Sequence, residues 1–309
     1  MKFLKGLFRK KPKIEKIDLT RRFDLISQVG TGSMSTVWRA RDAMTGKIVA
    51  LKVLDPEKTR RFEARFVGLN KPTEGEATVQ MRHPNIVHAY ECGVTVKGEQ
   101  FLVMEFVEGV GLSFLVDTQN ELMQRNRLQF MVQFGNAIDY IHRNQWIHRD
   151  ICPRNVLLDV DYQIKLIDFG LVVPCTDEFC KPGNRTGTAN YMAPELIKRL
   201  WTDQRVDVFA FTVSCYEMLT KRFPWHETGI SLEMVLQHIN NPPDDIREVM
   251  PDVDEQLAET MMKGLAADPD RRWQSMSEML VPLREVRNRL EGDEDENDEY
   301  EDVDQLIQS

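Results

Sequence analysis

Short runs of β-branched and apolar residues, broken by turn signals, fill the first third of the chain. Residues 23–29, 35–42 and 47–54 are separated by Gly30-Thr31-Gly32 and by Thr45-Gly46, and predict a meander of strands. Residues 60–81 predict a helix interrupted at Lys71-Pro72, because proline lacks the N–H a helix needs and restricts the residue before it. Residues 86–92 and 100–106 predict two further strands. The period then changes. From Leu112 onward it is helical, and 122–143 keeps apolar residues at helical spacing throughout. Two short strand-like runs at 156–158 and 164–166 follow, and helices resume from Met192 with Pro194, Pro224 and Pro242-Pro243 as punctuation. A β-rich front and an α-rich back predict an α+β protein of two lobes. The smaller lobe is expected over about 21–104, a hinge over about 105–109 and the larger lobe over about 110–290, with a cleft between them.

Composition changes this picture only at the ends. With 309 residues and 42% hydrophobic content, the chain can bury one large core or two smaller ones. The net charge of −9 belongs to one segment: residues 291–304 hold ten Asp or Glu and no Lys or Arg, and the remainder carries 40 basic and 39 acidic residues. A near-neutral body argues against a nucleic-acid surface. The acidic stretch repels itself, so 291–309 is expected to be a solvated, disordered tail. Residues 1–20 form a basic leader, in which Phe3, Leu4, Leu7 and Phe8 share one face of a short helix opposite Lys2, Lys5 and Arg9 to Lys11. Such a segment either rests on an anionic membrane surface or stays a solvated leader. Lys5 and Gly6 break its apolar run and no obvious cleavage site follows, which makes it a poor secretory signal. No apolar run reaches the roughly 18 residues of a spanning helix. Five cysteines, odd in number and irregularly spaced, fit a reducing compartment rather than a disulfide framework. A cytoplasmic protein, touching a membrane at most peripherally, is expected.

Candidate chemistry is concentrated in a few segments. Residues 29–37, Val-Gly-Thr-Gly-Ser-Met-Ser-Thr-Val, place a glycine-rich turn between two strands, where backbone N–H groups can approach phosphate oxygens without side-chain clash. An ordinary hairpin turn would read the same way. In Val49-Ala50-Leu51-Lys52 a lysine within an apolar strand needs an anionic partner to offset its desolvation. Then come His148-Arg149-Asp150-Ile151-Cys152-Pro153-Arg154-Asn155, Asp168-Phe169-Gly170, and Gly187-Thr188 leading to Ala193-Pro194-Glu195. Asp207 within an apolar helical run and Arg272 in Asp268-Pro269-Asp270-Arg271-Arg272-Trp273 complete the series.

In order and spacing these segments resemble the eukaryotic-like (Hanks-type) serine/threonine protein kinases, in a bacterial style, from about residue 23 to residue 283. The resemblance implies a bilobal protein-kinase fold, ATP as phosphoryl donor and proteins as acceptors. It implies that Lys52 binds the α- and β-phosphates, partnered by Glu74 or, as the alternative, by Glu76. Val29, Gly30, Thr31, Gly32 and Ser33 would cover the phosphates, although Ser35 stands where the family has its third glycine. Val37, Ala50 and Leu157 would sandwich the adenine, Met104 would be the gatekeeper, and the backbone of Glu105 and Val107 would hold the adenine edge. Asp150 would be the catalytic base. Asn155 and Asp168 would hold Mg2+, with Mn2+ as a substitute, since both metals favour hard oxygen donors. Asp207 would brace the catalytic loop and Arg272 would pair with Glu195.

The chain departs from the family pattern at Cys152, where serine/threonine kinases carry a lysine that stabilises the transferring phosphate. Arg154 occupies the position where many tyrosine kinases place an arginine, and is expected to substitute. The alternatives are a weak or inactive pseudokinase serving as a scaffold, and a tyrosine or dual-specificity kinase. Thr188, without the later proline typical of tyrosine kinases, favours serine/threonine specificity. Arg149 is the arginine that often grips an activation-loop phosphate, yet Asn184 stands where the phosphorylated residue usually sits, leaving Thr176 and Thr186 as loop threonines. Arg149 is expected to meet Asp177 or Glu178, or to be solvated. Cys175 and Cys180 read as free thiols, a redox pair or half of a zinc site.

Overall fold

A computed structural model describes residues 16–32, 34–69, 71–183, 186–226 and 231–290. The expectations for the leader over 1–13, for Ser33, for Asn184 and for the acidic tail lie outside the described residues. The chain divides into two compact units: residues 1–62 with 89–106, and residues 63–88 with 107–309.

The first unit is built on strands β1 (Lys16–Ile17), β2 (Phe23–Thr31), β3 (Ser35–Asp42), β4 (Ile48–Leu54), β5 (Ala89–Thr95) and β6 (Gln100–Glu105). They form one sheet in the order β1-β5-β6-β4-β3-β2, antiparallel except for the β1–β5 pair. Helix α1 (Leu19–Arg22) joins β1 to β2, capped by the Asp18 side chain. Period-two alternation sorts β4 between the faces. Val49 and Leu51 enter a core with Phe23, Ala40, Phe101 and Val103. Ala50 and Lys52 therefore project from the opposite face, and the register places Val37 and Leu102 beside Lys52 and Met104 beside Ala50. Arg22 ties the strand ends together by donating to both carboxylate oxygens of Asp42, at 3.1 and 3.0 Å.

Between β4 and β5 the sequence pattern and the structure part company. The helix expected over 60–81 is two short ones, α2 (Pro56–Glu63) and α3 (Glu74–Thr78). Gly68 takes a left-handed φ of 85°, and Pro72 lacks a donor, so the chain cannot continue as one helix. The helix restarts at Thr73, whose capping box with Glu76 satisfies the first N–H groups. The strand expected over 86–92 begins only at Ala89, because the Ile86–Val87 backbone belongs to the second unit and pairs there with Leu166.

The second unit is mostly helical. Its strands are β7 (Gly109–Gly111), β8 (Trp146–Ile147), β9 (Val156–Asp159), β10 (Ile164–Leu166) and β11 (Val173–Pro174), paired as β10-β9-β7 and β11-β8. After α3, which belongs to this unit, come helices α4 (Leu112–Thr118) and α5 (Glu121–Arg143), then α6 (Asp177–Cys180), α7 (Pro194–Ile197) and α8 (Arg205–Thr220). Then come α9 (Ser231–Asn240), α10 (Ile246–Val249), α11 (Glu255–Gly264) and α12 (Met276–Leu290). Asn120 caps α5 by accepting from the Met123 N–H, and the apolar stripe read from 122–143 is the buried face. Helix α8 is buried on nearly every side, so it forms the axis on which the site is hung. Helix α11 packs against it closely: a Cβ on Gly264 would lie 2.3 Å from Thr212 Oγ1. Gly264→Ala is therefore expected to lower stability by about 1–3 kcal/mol through overpacking, read from the urea midpoint. An unchanged midpoint would show that α8 and α11 separate without cost.

Candidate active site

The strongest organising group is Asp207, at the start of α8 and fully buried. Its carboxylate accepts from the backbone N–H groups of His148 at 2.7 Å and Arg149 at 2.8 Å, and lies 2.9 Å from His142 Nε2. Burial alone would raise its pKa. The hydrogen bond and charge of His142, with His148 adding to them, hold the carboxyl below its ordinary value instead. These bonds fix a costly backbone shape: Arg149 adopts φ 67°, which a non-glycine residue rarely takes. Asp150 is thereby presented on a rigid loop.

Asp150 is held at both oxygens. Oδ1 accepts from the Thr188 N–H and hydroxyl, both at 2.8 Å, and Oδ2 accepts from Asn155 Nδ2 at 3.0 Å. The same Nδ2 donates to the Asp150 carbonyl at 2.8 Å, so the Asn155 amide turns its oxygen the other way. Gly187 makes the Thr188 contact possible. It has φ 128°, and a Cβ there would stand 2.6 Å from the Arg149 carbonyl oxygen. The roles of Gly187 and His142 escaped the sequence reading. Glycine beside Thr188 was a signal for the first, and nothing local marks the second.

Arg154 is exposed and donates to Thr188 Oγ1 at 3.2 Å, one hydrogen bond from Asp150. Cys152 is buried, and burial, followed by the nearby Asp150 charge, pushes its thiol up to about 11. It is therefore neutral at pH 7. Asp168 accepts from the Gly170 N–H at 2.9 Å through Oδ1, and the Phe169 ring packs edge-on against His148 with centroids 5.1 Å apart. Of the two carboxylates weighed as partners of Lys52, Glu76 is exposed and spent on capping Thr73. Glu74 is buried, with Oε2 3.4 Å from where a Gly170 Cβ would be.

Within the first unit Val37, Ala50, Lys52 and Met104 share one face of the sheet, and Glu105 ends β6. Gly30 pairs with Val37, Thr31 with Thr36, and Gly32 N–H donates to the Ser35 carbonyl at 2.9 Å, closing the hairpin beyond the exposed Val29. A Cβ on Gly30 or Gly32 would meet nothing nearer than 3.9 and 3.6 Å. The fold itself does not need glycine at either place. Val107 and Leu157 belong to the second unit, with Leu157 on β9 between Gly111 and Lys165.

Arg149 differs from expectation. It is buried rather than solvated, and Nη2 donates to the Phe179 carbonyl at 2.6 Å rather than to Asp177 or Glu178. Burial lowers its pKa, and Nε and Nη1 have no partner among the described residues. Thr176 is exposed and Thr186 is buried. Cys175 and Cys180 are free thiols, half-buried and buried respectively, and no group of three or more metal-ligating side chains exists among the described residues.

Below Met192 the buried His238 holds the segment after Thr188 in place through a 2.8 Å bond from Nδ1 to the Met192 carbonyl. Burial sets the His238 pKa below 6.5, and it does the same to His83. As pH falls through about 6.5 the unfolded chain takes up protons at both more readily than the folded chain, so stability should fall from pH 7.5 to pH 5.5. Urea midpoints at the two pH values measure this. An equal or higher midpoint at pH 5.5 would contradict it.

Comparison with known proteins agrees with this geometry. A family model described as the protein kinase domain matches residues 23–282. The serine/threonine-protein kinase PrkC of Bacillus subtilis is 29% identical over 274 residues, covering 86% of this chain and 40% of its own. The serine/threonine-protein kinase PknB of Mycobacterium tuberculosis is 31% identical over 283 residues, covering 87% of this chain and 44% of its own. The chain thus spans about two fifths of the length of the curated relatives it matches. Among the described residues no helix is long and apolar enough to cross a membrane.

Proposed function

The chain belongs to the protein kinase domain family, and from that premise we propose that it transfers the γ-phosphoryl group of ATP to serine or threonine hydroxyls of proteins. Membership implies the use of ATP and a divalent metal. The observation that carries the proposal is the clasp on Asp150, whose carboxylate is fixed by Thr188 on one oxygen and Asn155 on the other. A carboxylate so held can orient an incoming hydroxyl and accept its proton. The hydroxyl oxygen forms the new P–O bond as the bond to the β-phosphate oxygen breaks, ADP leaves, and the proton passes to Asp150.

Two hard oxygen donors, the Asn155 amide oxygen and the Asp168 carboxylate, suit Mg2+, which is bound through one or two protein groups plus substrate phosphates. Mn2+ has the same donor preference. The metal, when bound, neutralises charge on the phosphates. Lys52 is assigned to the α- and β-phosphates with Glu74 as its partner, which its burial supports over Glu76. Val29, Gly30, Thr31, Gly32 and Ser33 are assigned to phosphate cover, and the unneeded glycines at 30 and 32 support close approach of a ligand. Val37, Ala50 and Leu157 are assigned to the adenine faces, Met104 to the gatekeeper position, and Glu105 and Val107 to the adenine edge.

Arg154 supplies the cation that Cys152 cannot. Arg154→Ala is expected to lower kcat about 100-fold with little change in KM for ATP, while Arg154→Lys retains part of the rate. A kcat within a few-fold of the original in Arg154→Ala would remove Arg154 from the chemistry. Phosphoamino-acid analysis tests the acceptor: phosphoserine and phosphothreonine are expected, and phosphotyrosine as the main product would overturn the assignment. A cytoplasmic setting belongs to the proposal, supported by ATP as donor and by five cysteines without a disulfide pattern.

A further inference from the structure

The first unit carries a cavity of about 840 Å³ on the sheet face opposite Lys52. That volume falls within the roughly 300–1,000 Å³ of pockets that enclose a sizeable ligand. Its wall is the unit's own core left open: Phe23 and Leu51 reach it, with Leu19, Trp38 and Val53 only partly buried beside them. Leu25 and Val96, each more than half exposed, extend the apolar wall. Such a face ordinarily has an occupant. The rim carries Asp18, Asp24, Asp55 and Glu99 against Lys58 and Lys97, an acidic balance.

One segment of this chain matches the cavity in both chemistry and position. Phe3, Leu4, Leu7 and Phe8 recur at the spacing of one helical face, and Lys2, Lys5, Arg9, Lys10, Lys11 and Lys13 surround them with no acidic residue before Glu15. The described chain starts at Lys16, and Asp18, Leu19 and Thr20 already line the cavity. Seven residues separate Phe8 from Lys16, and the eight extended steps between them span up to about 27 Å. The tether therefore delivers the apolar residues to the cavity mouth at high effective concentration. We propose that the basic leader folds back on its own molecule, seating Phe3, Leu4, Leu7 and Phe8 in this cavity with its lysines against the acidic rim. Thr31, Gly32, Ser35 and Thr36 form part of the same wall, so an occupied cavity also restrains the glycine-rich hairpin from behind. That consequence rests on the nucleotide assignment of the hairpin; the docking itself does not.

Hydrogen exchange on the full chain tests it without reference to activity. The double variant Leu4→Asp/Leu7→Asp should lose amide protection over residues 19–25 and 95–99, with protection of α5 and α8 unchanged. Asp24→Lys, an exposed rim change, should give a smaller loss in the same segments that disappears at high salt. Unchanged protection in the leader variant overturns the proposal. So does a loss seen only at concentrations where the original chain sediments as a dimer, which would make the occupant a second copy. Binding of the leader to phosphatidylserine vesicles, with cavity protection in the free protein indifferent to the leader variant, would assign the segment to a membrane surface and overturn it equally. Failure of phosphoryl transfer would leave the exchange result standing.

Discussion

Asp150→Asn should abolish most of the phosphoryl transfer, lowering kcat by about 10²–10⁴-fold, while the protein stays folded. Asparagine fills the same space and can still accept from the Thr188 N–H and hydroxyl, which reach Oδ1 at 2.8 Å. What disappears is the carboxylate that takes the proton. ATP affinity should change little, because Lys52 and the glycine-rich hairpin lie in the other unit. Steady-state kinetics with a thermal melt on the same sample measure this. A variant within a few-fold of the original rate would show that Asp150 is not the base.

The largest stability effect is expected from Arg272→Ala. The Arg272 side chain is 0% exposed and that of Glu195 is 5% exposed, joined by two bonds of 2.8 and 2.9 Å. Arg272 also donates to the carbonyls of Ala266 and Arg205, at 2.9 and 2.8 Å. Truncation leaves a buried carboxylate without its counter-charge and removes the Arg272 donors from the Ala266 and Arg205 carbonyls. Breaking a buried pair from one side costs about 3–5 kcal/mol, a large share of a domain's total stability. The urea midpoint should fall accordingly, and the double variant Glu195→Met/Arg272→Met should recover much of the loss, since neither charge then remains buried alone. A loss below about 1 kcal/mol in Arg272→Ala would mean that water reaches Glu195 and that the pair is not structural.

Chemistry was more legible in the sequence than local structure. The strands of the first unit were readable because alternation in 47–54 already separates Val49 and Leu51 from Ala50 and Lys52, and the register confirms that split. The region of 60–81 was not, since its outcome turns on two local events: a left-handed turn at Gly68 and a new cap at Thr73. Composition and periodicity do not encode either strongly. The start of β5 was misplaced because a long-range backbone pairing to Leu166 captures Ile86 and Val87. Asp150, Asn155 and Thr188 converge as their motifs suggest. Arg149 could not have been placed from sequence, because its partner is the Phe179 backbone carbonyl, and a carbonyl leaves no trace in residue identity. Cys152 shows a mixture: its identity announced a neutral group where a cation was expected, while only the structure shows that it is buried and that burial pushes the thiol further up.

The most direct measurement is transfer of label from γ-labelled ATP, with Mg2+, to a generic basic protein by the purified chain, beside Asp150→Asn. Label on serine and threonine, dependent on the divalent metal and lost in the variant, is the predicted result. Label that persists undiminished in Asp150→Asn, or a chain that binds ATP with Mg2+ and transfers none of it even to itself, would contradict the assignment of this site to protein phosphorylation.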